Sequence, residues 1–377
     1  MAQLDELLTY TKERGASDLH LVAGLEPRIR LHGRLRAISD WPPMSHKVLL
    51  EVFKEICPED RWARFVKSRD IDFAYAIDGV ARFRVNLFYQ EFGCGGVMRV
   101  VPDAIIPYHE LMLPSMVERF AHLKKGLVLM TGATGSGKST TMASLIDLIN
   151  RAYTRHIVTI EDPLEFIHQN KQSIVSHREI GMQSGTFSSA LRSAIRQDAD
   201  VILLGEMRDT ETISLALQAA EMGSLVFSSL HSNNAASAVD RIVGVYPTEQ
   251  HGLVRSILAE TLQGVIAQIL LPVKGQEGRR AAVEVLRRTP ALPNVIRDGQ
   301  MSRIYSLMSG DDLLTMDDTL CRMVEEDAIE VAVARDKCRD KQRTFKIINR
   351  ILAKKAEEEK QREEARKKRR EKQAANG

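Results

Sequence analysis

The stretch GATGSGKST, residues 132–140, decides how this chain is read. It follows the apolar run LVLM at residues 127–130 and opens a helix-compatible stretch at residues 140–149. Strand, glycine loop and helix in that order form a phosphate cradle. The glycines let successive backbone N–H groups turn inward, and the helix N-terminus adds partial positive charge. The spacing assigns Gly132, Ala133, Thr134, Gly135, Ser136, Gly137, Lys138, Ser139 and Thr140 to binding ATP, with Lys138 bridging the β- and γ-phosphates and Ser139 ligating Mg²⁺.

Outward from this loop, the short apolar runs HIVTI (156–160), ADVILL (199–204) and SLVFSS (224–229) alternate with helical segments. That alternation predicts a parallel sheet covered by helices on both faces, an α/β nucleotide-binding core. Open α/β sheets bind ligands beyond the carboxyl ends of their strands, and polar residues follow each run. The first ends in Glu161-Asp162-Pro163-Leu164-Glu165, whose carboxylates can reach a γ-phosphate or its attacking water; spacing alone does not choose among them. The second ends in Gly205-Glu206. Glycine stands where many P-loop enzymes carry Asp, so Mg²⁺ contact falls to Glu206 through water, a helix cap or ion pair being its other use. The third delivers His231 to the same edge, a position at which a lone His is more often structural.

Toward the N-terminus, Leu4, Leu7, Leu8 and Thr11 recur at helical spacing up to Gly15, and residues 18–38 then alternate like strands around a His32-Gly33 turn. Residues 71–101 continue with period-2 runs broken at Asp78-Gly79 and at residues 93–96, as in a meandering antiparallel sheet. Residues 1–101 are therefore expected to form a small α+β domain, and Pro102, Pro107 and Pro114 mark residues 102–115 as a linker. The α/β core is expected over 116–290, a helical segment over 291–350 and a charged tail over 351–377. That tail has no apolar face and reads as solvated, with the basic cluster at residues 366–370 able to touch anionic lipid or an acidic partner.

The 377 residues suffice for two domains, and the net charge of +3 gives no push toward nucleic acid. No stripe of aromatic and basic residues suggests a translocase either, so no nucleic-acid partner is expected. The four cysteines lack any Cys-x-x-Cys pair, which argues against a zinc ribbon or a disulfide framework and for a reducing, cytoplasmic setting. No apolar run approaches the roughly 18 residues of a membrane span.

GATGSGKST (132–140), TIEDPLEF (159–166), LLGEMRDTET (203–212) and SLHSNN (229–234), in that order, resemble the Walker A, Asp box, Walker B and His box of the secretion and type IV pilus motor ATPases. GASDLHL (15–21) and ARFRVNLF (81–88) extend the resemblance to the retraction motors of the PilT/PilU type over residues 1 to about 290. The resemblance implies a PAS-like N-terminal domain and a RecA-like domain in a homohexamer, with ATP between subunits. It implies Glu165 as catalytic base, Glu206 on Mg²⁺ and His231 as nucleotide sensor, with Arg84 and Arg99 reaching the phosphates. Guanidinium groups suit the charge spread over a transferring phosphoryl group, although each arginine alone would be read as a strand surface charge.

The function implied is a cytoplasmic motor, peripheral to the inner membrane, that acts on a membrane platform protein and drives pilus retraction. An accessory, PilU-like ATP-binding subunit working with a paralogous retraction ATPase is the alternative. A secretion or pilus-assembly motor is disfavoured by the missing four-cysteine motif and extra N-terminal domain. Two departures bear on this. Ser224 stands where the family carries a first His in the His box, which puts ATPase rate and subunit coupling in question. Residues 291–297, ALPNVIR, have Pro293 where the family's Ala-Ile-Arg-Asn-Leu-Ile-Arg helix has its first Arg; the helix is expected to survive with one charge fewer.

Overall fold

The structure, a computed structural model, describes residues 3–31, 33–101, 104–307 and 314–375. It divides into two compact units, the first comprising Met1–Ile105, Glu161–Gln169 and His177–Gly185, the second the remainder.

The first unit opens with α1 (Gln3–Glu13), whose Leu4, Leu7 and Leu8 face the core and whose Thr11 hydroxyl donates back to the Leu7 carbonyl. The strands β1 (Asp18–Val22), β2 (Arg28–Leu31) and β3 (Arg34–Ala37) follow, and then helices α2 (His46–Ile56) and α3 (Glu59–Ser68). The meander β4 (Asp70–Ile77), β5 (Ala81–Gln90) and β6 (Gly93–Val101) completes a six-stranded antiparallel sheet of order β3-β2-β1-β6-β5-β4. Period-2 alternation fixes its faces: Phe73, Phe83, Val85 and Leu87 are buried with Phe53 and Phe65 of the helices. Truncating a ring such as Phe83 to Ala would cost about 3–5 kcal/mol. His32, in the expected turn between β2 and β3, lies outside the described residues; Gly33 beside it takes φ 78°.

The chain then forms α4 (Ser115–Glu118), β7 (Gly126–Thr131), α5 (Lys138–Ala152), β8 (His156–Glu161), β9 (Ile174–Glu179), α6 (Phe187–Ile195), β10 (Val201–Leu204) and α7 (Thr210–Met222), which belong to the second unit except for Glu161 and the last three residues of β9. It continues with β11 (Leu225–Leu230), α8 (Ala235–Gly244), α9 (His251–Thr261), β12 (Leu262–Pro272) and β13 (Arg279–Arg287). The sheet order is β13-β12-β7-β11-β10-β8-β9. β12, β7, β11, β10 and β8 run parallel, while β13 pairs antiparallel with β12. Every residue of β7, β10 and β11 is buried, as expected of strands covered on both faces. The chain ends in α10 (Leu292–Arg297), α11 (Ile304–Leu307), α12 (Met316–Glu325), α13 (Val331–Lys337) and α14 (Lys341–Ala375).

Three boundaries differ from the sequence expectation. The division falls between Ile105 and Ile106, so most of the presumed linker belongs to the second unit. There a 3-10 turn at Tyr108–Leu111 is pinned by the Tyr108 hydroxyl donating to the Pro114 carbonyl at 2.7 Å; Pro102 and Asp103 lie outside the described residues. Segments Glu161–Gln169 and His177–Gly185, assigned to the α/β core by sequence, group with the first unit. Arg61 donates to the Gly181 carbonyl at 2.8 Å and Arg82 pairs with the Glu179 carboxylate, tying the second of these segments to α3 and β5. Finally, no break separates a tail at residue 351. Helix α14 starts at Lys341, buries Ile348 in a small core beside α12 and runs on without interruption to Ala375. The side chains of the basic cluster at 366–370 lie outside the described residues.

Candidate nucleotide-binding and catalytic site

The loop between β7 and α5 is built so that only glycine fits at two of its corners. Gly132 has φ 146°, and a Cβ there would come 2.3 Å from the Gln268 carbonyl oxygen. Gly137, the N-cap of α5, has φ 85°, and a Cβ there would meet the Gln268 side-chain nitrogen at 2.8 Å. Gln268, buried on the neighbouring strand β12, braces the loop from behind. Its amide donates to the Ser136 carbonyl at 2.8 Å and accepts from the Thr141 hydroxyl at 2.9 Å. Lys138 curls back to the carbonyls of Gly132 and Ala133 at 2.9 and 3.0 Å, which places its ammonium over the loop mouth. Ala133, Thr134 and Gly135 are exposed, while Ser139 and Thr140 are half-buried in the first turn of α5. A backbone-lined, cation-capped loop at a helix N-terminus fits a chain of phosphates.

Beside it, β10 runs parallel to β11, with its last residue Leu204 opposite Ser228, two residues before β11 ends. Glu206, two residues past β10, pairs with Arg208 at 2.5 Å and has the His231 Nε2 3.7 Å away. The sequence-predicted Glu206 and His231 are thus brought together at the carboxyl end of the sheet. Ser232 ties this loop to the start of the phosphate loop: its N–H donates to the Thr131 hydroxyl at 2.9 Å, and Thr131 contacts the Ser232 carbonyl at 2.6 Å. Among the described residues no group of three or more His, Cys, Asp or Glu could hold a metal ion by itself. Ser139, in the first turn of α5, and Glu206 carry oxygen donors of the kind Mg²⁺ takes.

The remaining candidates belong to the first unit. Glu161 is buried and its carboxylate accepts the backbone N–H of Glu165 at 3.2 Å, whereas the Glu165 side chain is exposed. Arg84 and Arg99 sit directly opposite each other on β5 and β6. Like charges in that register repel, and each has its own carboxylate: Arg99 donates to Asp18 at 2.8 Å, and Arg84 lies 3.7 Å from Asp72. Burial alone would raise the Asp18 carboxyl, but hydrogen bonds from Arg99 and Ser17 outweigh it and hold the group below its ordinary value. Arg99 remains 66% exposed and Arg84 44%, so both guanidinium groups keep donors available.

The two departures resolve differently. Ser224 does not lie at the phosphate end. It precedes β11 at the amino edge of the sheet, where its hydroxyl donates to the Ala199 carbonyl at 2.8 Å. Six residues of strand, roughly 20 Å, separate it from His231. Pro293 sits in the first turn of α10, which forms regardless, as expected of a position needing no N–H donor. Gln268, Thr131 and Ser232 were missed in the sequence. Gln268 left one signal, a polar residue in the middle of the apolar strand LQGVIAQILLP.

A glycine-lined phosphate loop at the carboxyl edge of a parallel sheet, flanked by Glu206 and His231, defines a RecA-like P-loop nucleotide-binding fold. The chain belongs to the Type II/IV secretion system protein family, whose model matches residues 4–366. It is 44% identical to the type IV pilus retractation ATPase PilT of Pseudomonas aeruginosa, over 89% of this chain and 98% of that protein. It is 38% identical to the type IV pilus ATPase PilU of the same organism, over 81% of this chain and 80% of that one. A crystal structure of the pilus retraction motor PilT with bound ADP superposes with a TM-score of 0.85 at 40% identity, covering 91% of this chain and 98% of that chain.

Proposed function

We propose that this chain is an ATP-hydrolysing motor that drives type IV pilus retraction, working as a homohexamer on a platform protein at the cytoplasmic face of the inner membrane. The observation that carries the reading is the phosphate loop, with its glycine-only corners and capping Lys138, in a chain that matches a retraction ATPase over nearly the whole length of both.

In this reading the N–H groups of residues 132–139 and the Lys138 ammonium hold the β- and γ-phosphates. Ser139 and Glu206 hold Mg²⁺, which when bound neutralises charge developing on the phosphoryl oxygens. Glu165 takes the proton of the attacking water. Its side chain is exposed, whereas the Glu161 carboxylate is buried and engaged with the Glu165 backbone. Arg84 and Arg99 stabilise charge on the transferring group, and His231, beside Glu206, responds to the γ-phosphate. No described helix is long and apolar enough to cross a membrane, in keeping with a peripheral motor.

Steady-state ATPase of the purified protein tests this. Lys138→Ala should abolish measurable turnover, and Glu165→Ala should lower kcat by about 10²–10⁴-fold while leaving ATP affinity within a few-fold. Wild-type activity no higher than that of Lys138→Ala would instead favour an accessory subunit acting with a paralogous motor. Pro293, replacing a family arginine in α10, is the feature that motivates this second reading.

A further inference from the structure

The His231 loop is fastened at both ends. Ser232 ties its start to Thr131, immediately before the phosphate loop, through contacts of 2.6–2.9 Å. Its far end runs into α8, whose first backbone N–H, that of Ala235, donates to the Glu284 carboxylate at 2.9 Å. Asn234 already caps this helix by accepting from Ser237 at 2.9 Å. Glu284 thus takes a second orphan donor and places negative charge at the positive end of the helix dipole.

Glu284 lies on β13 and is 3% exposed, an unusual site for a carboxylate among Ala282, Val283, Val285 and Leu286, all buried. Burial pushes its carboxyl above the ordinary value, even though the backbone N–H groups of Ala235 and Met316 and the Tyr305 hydroxyl favour the ionised form. Two of those donors come from the C-terminal helical segment. The Tyr305 hydroxyl approaches the carboxylate oxygen that serves Ala235 at 3.4 Å, and Met316 is the first residue of α12. Arg339 stacks over the Tyr305 ring, 3.8 Å from its centroid, and extends the cluster to the residues just before α14. A buried carboxylate is costly unless its hydrogen bonds are made, so any motion of α8 that lengthens the Ala235 bond alters what holds Tyr305 and α12.

We infer that Glu284 is a positioning residue that couples the His231 loop to Tyr305 and α12, so that nucleotide contacts made by the loop are conveyed to the C-terminal helical segment. This rests on the nucleotide-site reading above and extends it to the part of the chain that would pass motion on.

Hydrogen–deuterium exchange of the full-length protein, with and without Mg²⁺ and the nonhydrolysable analogue adenylyl-imidodiphosphate, tests it. The wild-type protein should show nucleotide-dependent changes both at residues 132–140 and in α12. In Glu284→Gln the change at 132–140 should persist while that in α12 falls at least about five-fold, because an amide oxygen has two lone pairs for three donors. Tyr305→Phe removes one donor without charging or emptying the site, and should reduce the α12 response in part. Glu284→Gln should also lower kcat with KM for ATP unchanged within about two-fold, a split that general loosening of the fold would not give. An α12 response equal to wild type in both variants overturns the coupling. So does a wild-type α12 that ignores nucleotide while residues 132–140 respond. A wild-type loop at 132–140 that itself fails to respond overturns the nucleotide site, a distinguishable failure.

Discussion

Two places in this protein present positive charge, and they are made in opposite ways. At the carboxyl edge of the parallel sheet the recognition elements are backbone groups, held by steric necessity at Gly132 and Gly137 and braced by buried Gln268. On the antiparallel sheet of the first unit the charge sits on exposed side chains, Arg84 and Arg99, set opposite each other by the β5–β6 pairing and each beside a carboxylate. The first arrangement is fixed before any ligand arrives. The second can exchange partners most readily at Arg84, whose partner Asp72 is itself half exposed, whereas Arg99 is anchored to the buried carboxylate of Asp18. In the function proposed above, the loop is the rigid grip that binds in every state, and the arginines engage only when the reaction calls for charge stabilisation.

This contrast can be broken or sharpened by mutation. The largest effect is expected at the two arginines. Arg84→Ala and Arg99→Ala should each lower kcat by about 10²–10³-fold with little change in nucleotide affinity, given what arginines contribute to phosphoryl transfer. Equal losses in affinity and kcat would place them with the rigid grip instead. Gln268→Leu should act on binding. It leaves the Ser136 carbonyl and Thr141 hydroxyl unpaired in a buried setting, a cost of about 1–3 kcal/mol that should appear as roughly ten-fold weaker ADP binding by calorimetry. An unchanged ADP affinity would mean that the glycine corners alone suffice.

The smallest effect concerns Asp18, whose folded pKa lies below its unfolded value. Such a group contributes stability that is present above the unfolded pKa, near 4, and lost as pH falls through the lower folded one. Asp18→Asn should therefore cost about 1 kcal/mol in urea melts at pH 7 and flatten the decline in stability below pH 4. If the variant keeps the wild-type acid profile, Arg99 is not held by this carboxylate in solution.

The same contrast explains what could be read from sequence. Strands β7, β10 and β11 were legible because burial on both faces leaves continuous apolar runs, and the phosphate loop because its glycines answer to sterics. Helices α2 and α3 went unread, as did the β12–β13 hairpin, since no chemical motif drew attention to them. The grouping of His177–Gly185 with the first unit draws on Arg61 and Arg82, more than 90 residues away in sequence, and has no local signature. Gln268 and Glu284 did leave a trace: each is a polar residue inside an apolar strand, on adjacent strands β12 and β13, and each serves a neighbouring loop or helix. Arg84 and Arg99 became candidates only through the family likeness, because an exposed arginine on a strand is locally ordinary.

Ser224 carries a lesson about descent. By family resemblance it belongs to a catalytic box, yet its hydroxyl serves the Ala199 carbonyl at the amino edge of the sheet, a strand's length from His231. A signature is a length of chain, and a strand carries one end of it far from the other. Divergence at such a position can therefore accumulate while the reaction chemistry stays under selection, and paralogues that differ there need not have parted in what they do.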